Sequence, residues 1–462
     1  MKSKKVIAGI LAAAAIVVTP SFSTVANEAL PFVTGMTASA RELTDNDAIV
    51  SGLVYTLDKT NKTAGLDGRY SNVQKIVVPG TITWQGVTYK VTQINSNAFA
   101  NSQTVYNVDM TRANNLRVIG YKAFDHASGL KTVKFSSNVE EMSAYCFAYC
   151  GSLRTFDFNG NAKLGYINTG DFMGCSSLTS ITIPSSVKQI YSSAFSNSGI
   201  TSVKIPNNVT SISQTAFYSC KSLKNITFEA SGTNTKLRIG NDAFGKCPVI
   251  DTVDLARTNM DASLTTFKDS NKNMRMIGYG ANDYTKSLCK KLLQTWGITY
   301  NPNGTYASKK ASIDALAKKV NSYITYESIA EEGCAAVVLS TGRGTCGGYA
   351  RAFYNLALAM GVSSKEVLVG GDFHCHAWNY VKVNGKWYNY DCTNAAYCYT
   401  DTKYKNYMIA NWGSASAHTD PSKWGVCDEN QTGASDESNY GNPHYYNYTQ
   451  YLSDFNLGKR AQ

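Results

Sequence analysis

The chain has 462 residues, 43% of them hydrophobic and 17% charged, with a formal net charge of +11. This length exceeds what one hydrophobic core usually serves, so we expect two or three domains, and the apolar fraction excludes a chain that is disordered throughout. Twelve cysteines are too sparse for a disulfide scaffold. Lysine and arginine form no cluster and no basic-aromatic motif, which argues against nucleic acid as a partner.

Residues 1–26 have the pattern of an export signal. Three lysines precede an apolar run over residues 6–18, which is short for a membrane-spanning helix. Small residues allow cleavage after Ala26. We therefore expect a secreted or surface-associated protein with a spacer over residues 27–50 and no transmembrane segment in the mature chain. A membrane anchor is the alternative interpretation of the apolar run.

The first half of the chain is a repeat array. A phenylalanine recurs every 22 to 27 residues, an apolar residue lies five positions before it, and an apolar-x-x-apolar-x-apolar pattern follows it. One such unit cannot bury its apolar side alone, so the pattern predicts stacked units that form a parallel β ladder over residues 51–301. The recurring phenylalanines are Phe99, Phe124, Phe147, Phe172, Phe195, Phe217 and Phe244.

The repeat sequence resembles a known family. The segments SLTSITIPSSVKQIYSSAF and ITSVKIPNNVTSISQTAF are similar to leucine-rich repeats of the BspA type, which occur in secreted and surface proteins of bacteria and some protozoa. The resemblance implies a solenoid that binds a host or bacterial surface protein or a glycan. The region around Trp84 resembles an N-terminal cap, and residues 274–300 resemble a C-terminal cap.

Four cysteines belong to the repeat. Each lies three residues after a repeat phenylalanine, in a position that other repeats fill with small residues. We therefore interpret this position as a buried site for a small side chain, and not as a metal or disulfide site. The four are Cys150, Cys175, Cys220 and Cys247.

In the second half the period changes to that of helices. Apolar residues at helical spacing from Ile313 to Ile324 predict one amphipathic helix. A second helical stripe follows Cys346 and is stopped by Gly361. Cys346 would thus begin a largely buried helix. A helix N-terminus stabilises a thiolate, and the glycine-rich backbone there offers N–H donors to an oxyanion.

A predicted β-hairpin follows this helix. Asn384-Gly385 predicts a type I′ turn, which places Val383 opposite Lys386. Carried along the strands, this register places Trp378 opposite Asp391.

This register makes His376 and Asp391 diagonal neighbours on one face, with Cα atoms roughly 7–8 Å apart. A cysteine at a helix start, a histidine and a carboxylate are the nucleophile, base and orienting group of cysteine acyl transfer. We therefore predict that Cys346, His376 and Asp391 are catalytic.

These residues also resemble a known superfamily. The motifs GTCGGYA and HAWNYVKVNGKWYNYDCT are similar to those of the transglutaminase-like superfamily, and the order and spacing of Cys346, His376 and Asp391 agree. The resemblance implies a papain-like α+β domain over residues 302–462, with a Tyr- and Asn-rich C-terminal extension. It implies a protein or peptide substrate, acyl transfer or amide hydrolysis through a thioester, and no cofactor. Cys392 follows Asp391 where the family commonly has proline or valine.

Several alternatives stay open at this point. His374, Cys375, His376 and Cys392 could bind zinc, but strand alternation turns Cys375 away from the histidines and no CxxC pair supports such a site, so we expect no metal. The reaction could be transamidation or hydrolysis. The whole chain could also be a non-enzymatic adhesin with a degenerate second domain.

Six further cysteines could pair in an oxidising compartment, and their spacing selects no connectivity. They are Cys289, Cys334, Cys375, Cys392, Cys398 and Cys427.

Overall fold

The computed structural model describes residues 43–231, 235–271, 273–278, 280–327, 335–372 and 376–393. The predicted export signal, the spacer as far as residue 42 and the C-terminal extension lie outside these residues. The chain divides into two compact units, Met1–Leu223 and Lys224–Gln462. The predicted domain boundary between residues 301 and 302 stays a prediction. Within the described ranges, no helix combines the length and apolarity needed to cross a bilayer.

The first unit is built from short strands, most of them two to four residues long. They are β1 Asp47–Val50, β2 Leu53–Asp58, β3 Thr63–Arg69, β4 Lys75–Val77, β5 Thr81–Trp84, β6 Val87–Ile94, β7 Asn107–Asp109, β8 Val118–Ile119, β9 Thr132–Lys134, β10 Glu141–Met142, β11 Thr155–Asp157, β12 Tyr166–Ile167, β13 Gln189–Ile190, β14 Ser202–Ile205 and β15 Ser211–Ile212.

Parallel ladders run through this unit, as the repeat pattern predicts. One ladder joins β4, β7, β9 and β11, a second joins β6, β8 and β10, and a third joins β12, β13 and β15. Antiparallel pairs occur at the N-terminal end, where β1, β2 and β3 form a meander and β5 pairs with β6. The ladder through β11 is interrupted at residues 178–183, which have no assigned strand. A backbone hydrogen bond from Thr201 to Thr179 (2.9 Å) still links the repeats there.

The repeat phenylalanines form a stacked column. From Phe99 to Phe217, successive ring centroids are 4.9 to 5.9 Å apart and the rings are within 8° of parallel. This spacing follows from the ~4.8 Å separation of hydrogen-bonded strands. In the second unit Phe244 stacks on Phe267 at 5.4 Å. Phe267 belongs to an eighth copy that the sequence pattern missed, because Ala262 stands where the other copies carry Ile or Met.

The cysteine position in the repeat is buried, as predicted. Three of its thiols also donate to the carbonyl oxygen of the preceding repeat's phenylalanine, and in the eighth copy the Ser270 hydroxyl donates in the same way to Phe244 (2.6 Å). A short S–H or O–H donor therefore satisfies a buried carbonyl between repeats. The thiol pairs are Cys150 with Phe124, Cys175 with Phe147, and Cys220 with Phe195, each at 3.1 Å.

The second unit continues the repeats and then becomes helical. Its elements are β16 Asn225–Phe228, β17 Leu237–Ile239, β18 Thr252–Leu255, β19 Met260–Ala262, β20 Arg275–Ile277, α1 Ala281–Trp296, α2 Tyr306–Tyr323, β21 Thr325–Tyr326, α3 Ala335–Thr341, β22 Arg343–Gly344, α4 Cys346–Met360, β23 Val367–Asp372, β24 His376–Val383 and β25 Lys386–Tyr390. β16, β18 and β20 are parallel, as are β17 with β19 and β21 with β22, while β23, β24 and β25 form an antiparallel meander.

Helix α4 lies at the centre of the helical part. It contacts α1, α2 and α3 and also β23 and β24. Both predicted helices are present: α2 buries Ile313, Leu316, Ala317 and Val320, and α4 ends at Gly361, which has a left-handed φ of 111°.

Asp171 is a fully buried carboxyl within the solenoid. It precedes Phe172, in a position that holds Ala or Cys in the other predicted repeats. Its oxygens accept hydrogen bonds from the backbone N–H of Asn168 (2.7 Å) and of Cys146 (3.3 Å). Burial raises the pKa of Asp171 well above its usual value, and these hydrogen bonds offset only part of that rise.

We expect Asp171→Asn to raise the melting temperature relative to the wild type increasingly as the pH rises from 4 to 8. A raised folded-state pKa means that the carboxyl's contribution to stability is complete below its unfolded pKa of about 3.9 and is lost as the pH rises through the folded pKa. The melting temperature should change by about 2–4 °C for each kcal/mol of change in the free energy of unfolding. Asp157→Asn, at an exposed position, is the control, and a pH-independent difference at Asp171 would contradict the prediction.

Candidate active site

Cys346 is the first residue of α4, as predicted. Thr345 before it is extended (φ −83°, ψ 179°), and Gly347 and Gly348 follow it. The Cys346 thiol is free and partly exposed, whereas the other seven cysteines that the structure describes are buried. A partly exposed thiol at the start of a buried helix suits a nucleophile better than a packing residue.

The predicted hairpin register is confirmed. Asn384 and Gly385 both have positive φ, 48° and 85°, as a type I′ turn requires. Val383 pairs with Lys386 and Asn379 pairs with Tyr390. Neither this pairing nor that of β24 with β23 contains a register shift.

Asp391 directly follows β25 and is fully buried. One of its carboxylate oxygens accepts a hydrogen bond from the backbone N–H of Thr393 (3.0 Å). His376 begins β24, where its Cα pairs with that of Asp372, and its side chain lies outside the described part of the structure. Because β25 ends one residue before Asp391, the diagonal relation of His376 and Asp391 stays a prediction.

Two contacts attach the hairpin to the helix that begins with Cys346. The buried Asn379 amide donates to the carbonyl oxygens of Ala350 on α4 (3.0 Å) and Leu368 on β23 (3.2 Å). The ring of Tyr390 stacks on that of Phe353 on α4, with centroids 5.7 Å apart. Since Ala350 is one helical turn after Cys346, the strand pair is anchored close to the thiol's end of α4.

Tyr326 lies beside Cys346 and was not identified from the sequence. It pairs in parallel with Gly344, two residues before the cysteine, and 57% of its surface is exposed. Burial and the nearby Cys346 thiol raise the pKa of Tyr326. No spacing rule predicts this neighbour, because the link is a pairing between two strands of only two residues each.

A second tyrosine connects this area to the residues around Asp391. The ring of Tyr349 on α4 is 6.4 Å from that of Tyr326. Burial, together with Cys392 and Tyr326, raises the pKa of Tyr349 to about 12. Burial and the adjacent Asp391 raise the pKa of the Cys392 thiol well above its usual value. Tyr349, three residues after Cys346 on α4, thus lies near both Tyr326 and Cys392, the residue that follows Asp391.

The structure describes only some of the residues considered for zinc binding or disulfide bonds. Cys289 and Cys392 are free, buried thiols. Among the residues that the structure describes, no three His, Cys, Asp or Glu side chains are grouped as metal ligands. The other candidates for zinc or disulfide chemistry lie outside the described residues: His374, Cys334, Cys375, Cys398 and Cys427.

Comparison with known families agrees with both halves of the chain. Residues 79–164 and 158–274 match the BspA type leucine-rich repeat region in six copies. Residues 298–392 match the transglutaminase-like superfamily. The chain therefore combines a solenoid of BspA-type leucine-rich repeats with a transglutaminase-like domain, in an α+β fold. No curated protein matches the chain.

Similar solved structures are leucine-rich repeat proteins. One from Bacteroides ovatus is 21% identical, with 51% of this chain and 53% of that chain covered and a TM-score of 0.38. A leucine rich cell surface protein from Faecalibacterium prausnitzii is 20% identical, with 52% and 77% covered and a TM-score of 0.34. A T. pallidum protein is 23% identical, with 44% and 89% covered and a TM-score of 0.37. The chain thus spans about half the length of the Bacteroides ovatus protein.

We predict that, of the eight cysteines that the structure describes, iodoacetamide modifies Cys346 first in the folded protein. The seven buried thiols should react at least about 100-fold more slowly, as expected if exposing them costs about 3 kcal/mol or more. Peptide mass spectrometry over a time course measures each site, and protein unfolded in guanidinium is the control in which the difference disappears. Modification of Cys289 or Cys392 at the rate of Cys346 would contradict the assigned burial.

Proposed function

We propose that the transglutaminase-like domain is a cysteine acyl-transfer enzyme. Cys346 is the nucleophile, His376 the general base and Asp391 the group that orients the imidazole. The observation that carries the proposal is the partly exposed Cys346 thiol at the start of a buried helix, with Tyr326 and Tyr349 nearby.

The reaction proceeds in two halves. The Cys346 sulfur attacks an amide carbonyl carbon while His376 accepts the thiol proton, and the backbone N–H of Cys346 stabilises the oxyanion. His376 then donates the proton to the leaving amine, and a thioester remains. A second amine or a water molecule attacks the thioester, and Cys346 regains its proton. This sequence needs no cofactor.

The solenoid supplies recognition in this proposal. Repeats stacked in parallel offer an extended surface on which a protein or glycan can bind. The export pattern of residues 1–26 supports a location outside the cell or on its surface. Substrate and binding partner would then meet the enzyme in the same extracellular setting.

A non-enzymatic adhesin is the second candidate function. It is supported by the match of the repeats to the BspA type leucine-rich repeat region, since binding through the repeats does not require an active second domain. In that case Cys346→Ala would leave binding to bacterial or host cells unchanged, and the wild type would show no cysteine-dependent turnover. Binding is measured with the full chain, so that the repeats stay attached to the helices that they contact.

The decisive experiment offers the purified protein a labelled primary amine with a glutamine-containing protein, and separately a panel of peptides. We expect one of the two reactions, amine incorporation or peptide cleavage, and we expect Cys346→Ala to abolish it. Asp391→Asn should lower kcat by up to about 10⁴-fold, as loss of an orienting carboxylate does elsewhere.

The control is thermal unfolding of each variant, which separates loss of chemistry from loss of the fold. Turnover that persists in folded Cys346→Ala, or a wild type inactive in both assays, would contradict the enzymatic proposal.

A further inference from the structure

We propose that helix α2 positions Asp391 by holding the residues on both sides of it, with Asp314 and Asn321 as the positioning residues. The inference rests on the proposed function, because Asp314 and Asn321 have this role only if Asp391 orients the His376 imidazole. Neither residue belongs to the motifs GTCGGYA or HAWNYVKVNGKWYNYDCT.

The first contact holds the residue before Asp391. Tyr390 is fully buried, and its hydroxyl donates to a carboxylate oxygen of Asp314 at 2.8 Å. Lys310, one turn earlier on α2, donates to both oxygens of Asp314 at 2.7 and 2.8 Å. Because the Tyr390 ring also stacks on Phe353, the residue is fixed between α2 and α4.

The second contact holds the residue after Asp391. The Asn321 side chain donates to the carbonyl oxygen of Cys392 at 2.6 Å. This bond restrains the backbone itself, whatever side chain the position carries. Such a restraint suits the unusual cysteine that follows Asp391, since the backbone conformation does not depend on a proline there.

One face of α2 carries both contacts. Asp314 and Asn321 are seven residues apart, so they lie on the same face of α2 about 10 Å apart along its axis. Tyr390 and Cys392 flank a single residue at the end of an extended strand, where two residues span roughly 7 Å. One rigid helix face therefore contacts the chain on either side of Asp391.

Apolar packing alone would hold α2 against the hairpin without fixing this residue. A carboxylate that orients an imidazole must keep its position to a fraction of an ångström, because a misplacement of about 1 Å can cost about 100-fold in rate. The two polar contacts supply directional restraint at that point, which is what a positioning role requires.

The same interface provides a matched control. Tyr388 lies three residues before Asp391, and its hydroxyl forms a 2.6 Å hydrogen bond with that of Tyr306 on α2. Tyr388→Phe and Tyr390→Phe each remove one hydroxyl between α2 and β25. Only the second removes a contact adjacent to Asp391.

The experiment measures kcat and KM against pH for Tyr390→Phe, Asn321→Ala and Tyr388→Phe. We expect Tyr390→Phe and Asn321→Ala to lower kcat about 10- to 100-fold with KM little changed. The acid limb of the pH–rate profile should move to lower pH, because the His376 imidazolium loses part of its stabilisation by the carboxylate and the general base therefore loses its proton at lower pH. Tyr388→Phe should behave as the wild type.

The same substitutions are then made in Asp391→Asn protein. If α2 acts through Asp391, Tyr390→Phe and Asn321→Ala cause no further loss in that background. The positioning role alone would be overturned if Tyr390→Phe and Asn321→Ala lowered kcat equally in both backgrounds. It would also be overturned if, in an active enzyme, these two variants had the same kcat as Tyr388→Phe. A wild type without Cys346-dependent activity would overturn the proposed function and this role with it.

Discussion

Helix α4 is buried along most of its length while its first residue stays partly exposed, and the candidate site depends on this combination. Among the described elements, α1, α2, α3 and the strands β22, β23 and β24 contact α4, so its sequence is small or apolar on nearly every face. A helix enclosed on this many sides cannot shift without repacking its neighbours. The Cys346 thiol and the backbone N–H groups beside it are therefore held in place by contacts made further along the helix.

The hairpin is tied to this helix by one buried amide and one ring stack. Asn379 uses both amide hydrogens on the carbonyls of Ala350 and Leu368, and breaking such buried bonds leaves polar groups without partners. Tyr390, opposite Asn379, adds its stack on Phe353. A register slip of one residue would turn these side chains to the wrong face. These two residues hold the hairpin, and with it the strand that ends at Tyr390, against α4.

What the sequence predicted well was governed by local rules. Asn384-Gly385 determines both the turn and the hairpin register, and Gly361 ends α4 because a left-handed residue costs glycine little. The repeat phenylalanines could be identified from the sequence because each copy buries its phenylalanine in the same way, against the copies on either side. Tyr326 escaped prediction because its position comes from a long-range pairing with Gly344. Asp314 and Asn321 escaped because each looks like an ordinary polar residue of an amphipathic helix until its partner is known.

The end of the repeat column and the helical part share one core. The ring of Tyr284 on α1 lies 6.3 Å from Phe267, and its hydroxyl hydrogen-bonds that of Ser340 on α3 at 2.9 Å. The Tyr284 side chain thus contacts Phe267, the last phenylalanine of the stacked column, and also α3, which packs on α4. Separating repeats from helices here would expose the end of the phenylalanine column to solvent. The core that holds α4 in place therefore includes the last leucine-rich repeat. A substitution in that repeat can thus affect the position of Cys346 through α1.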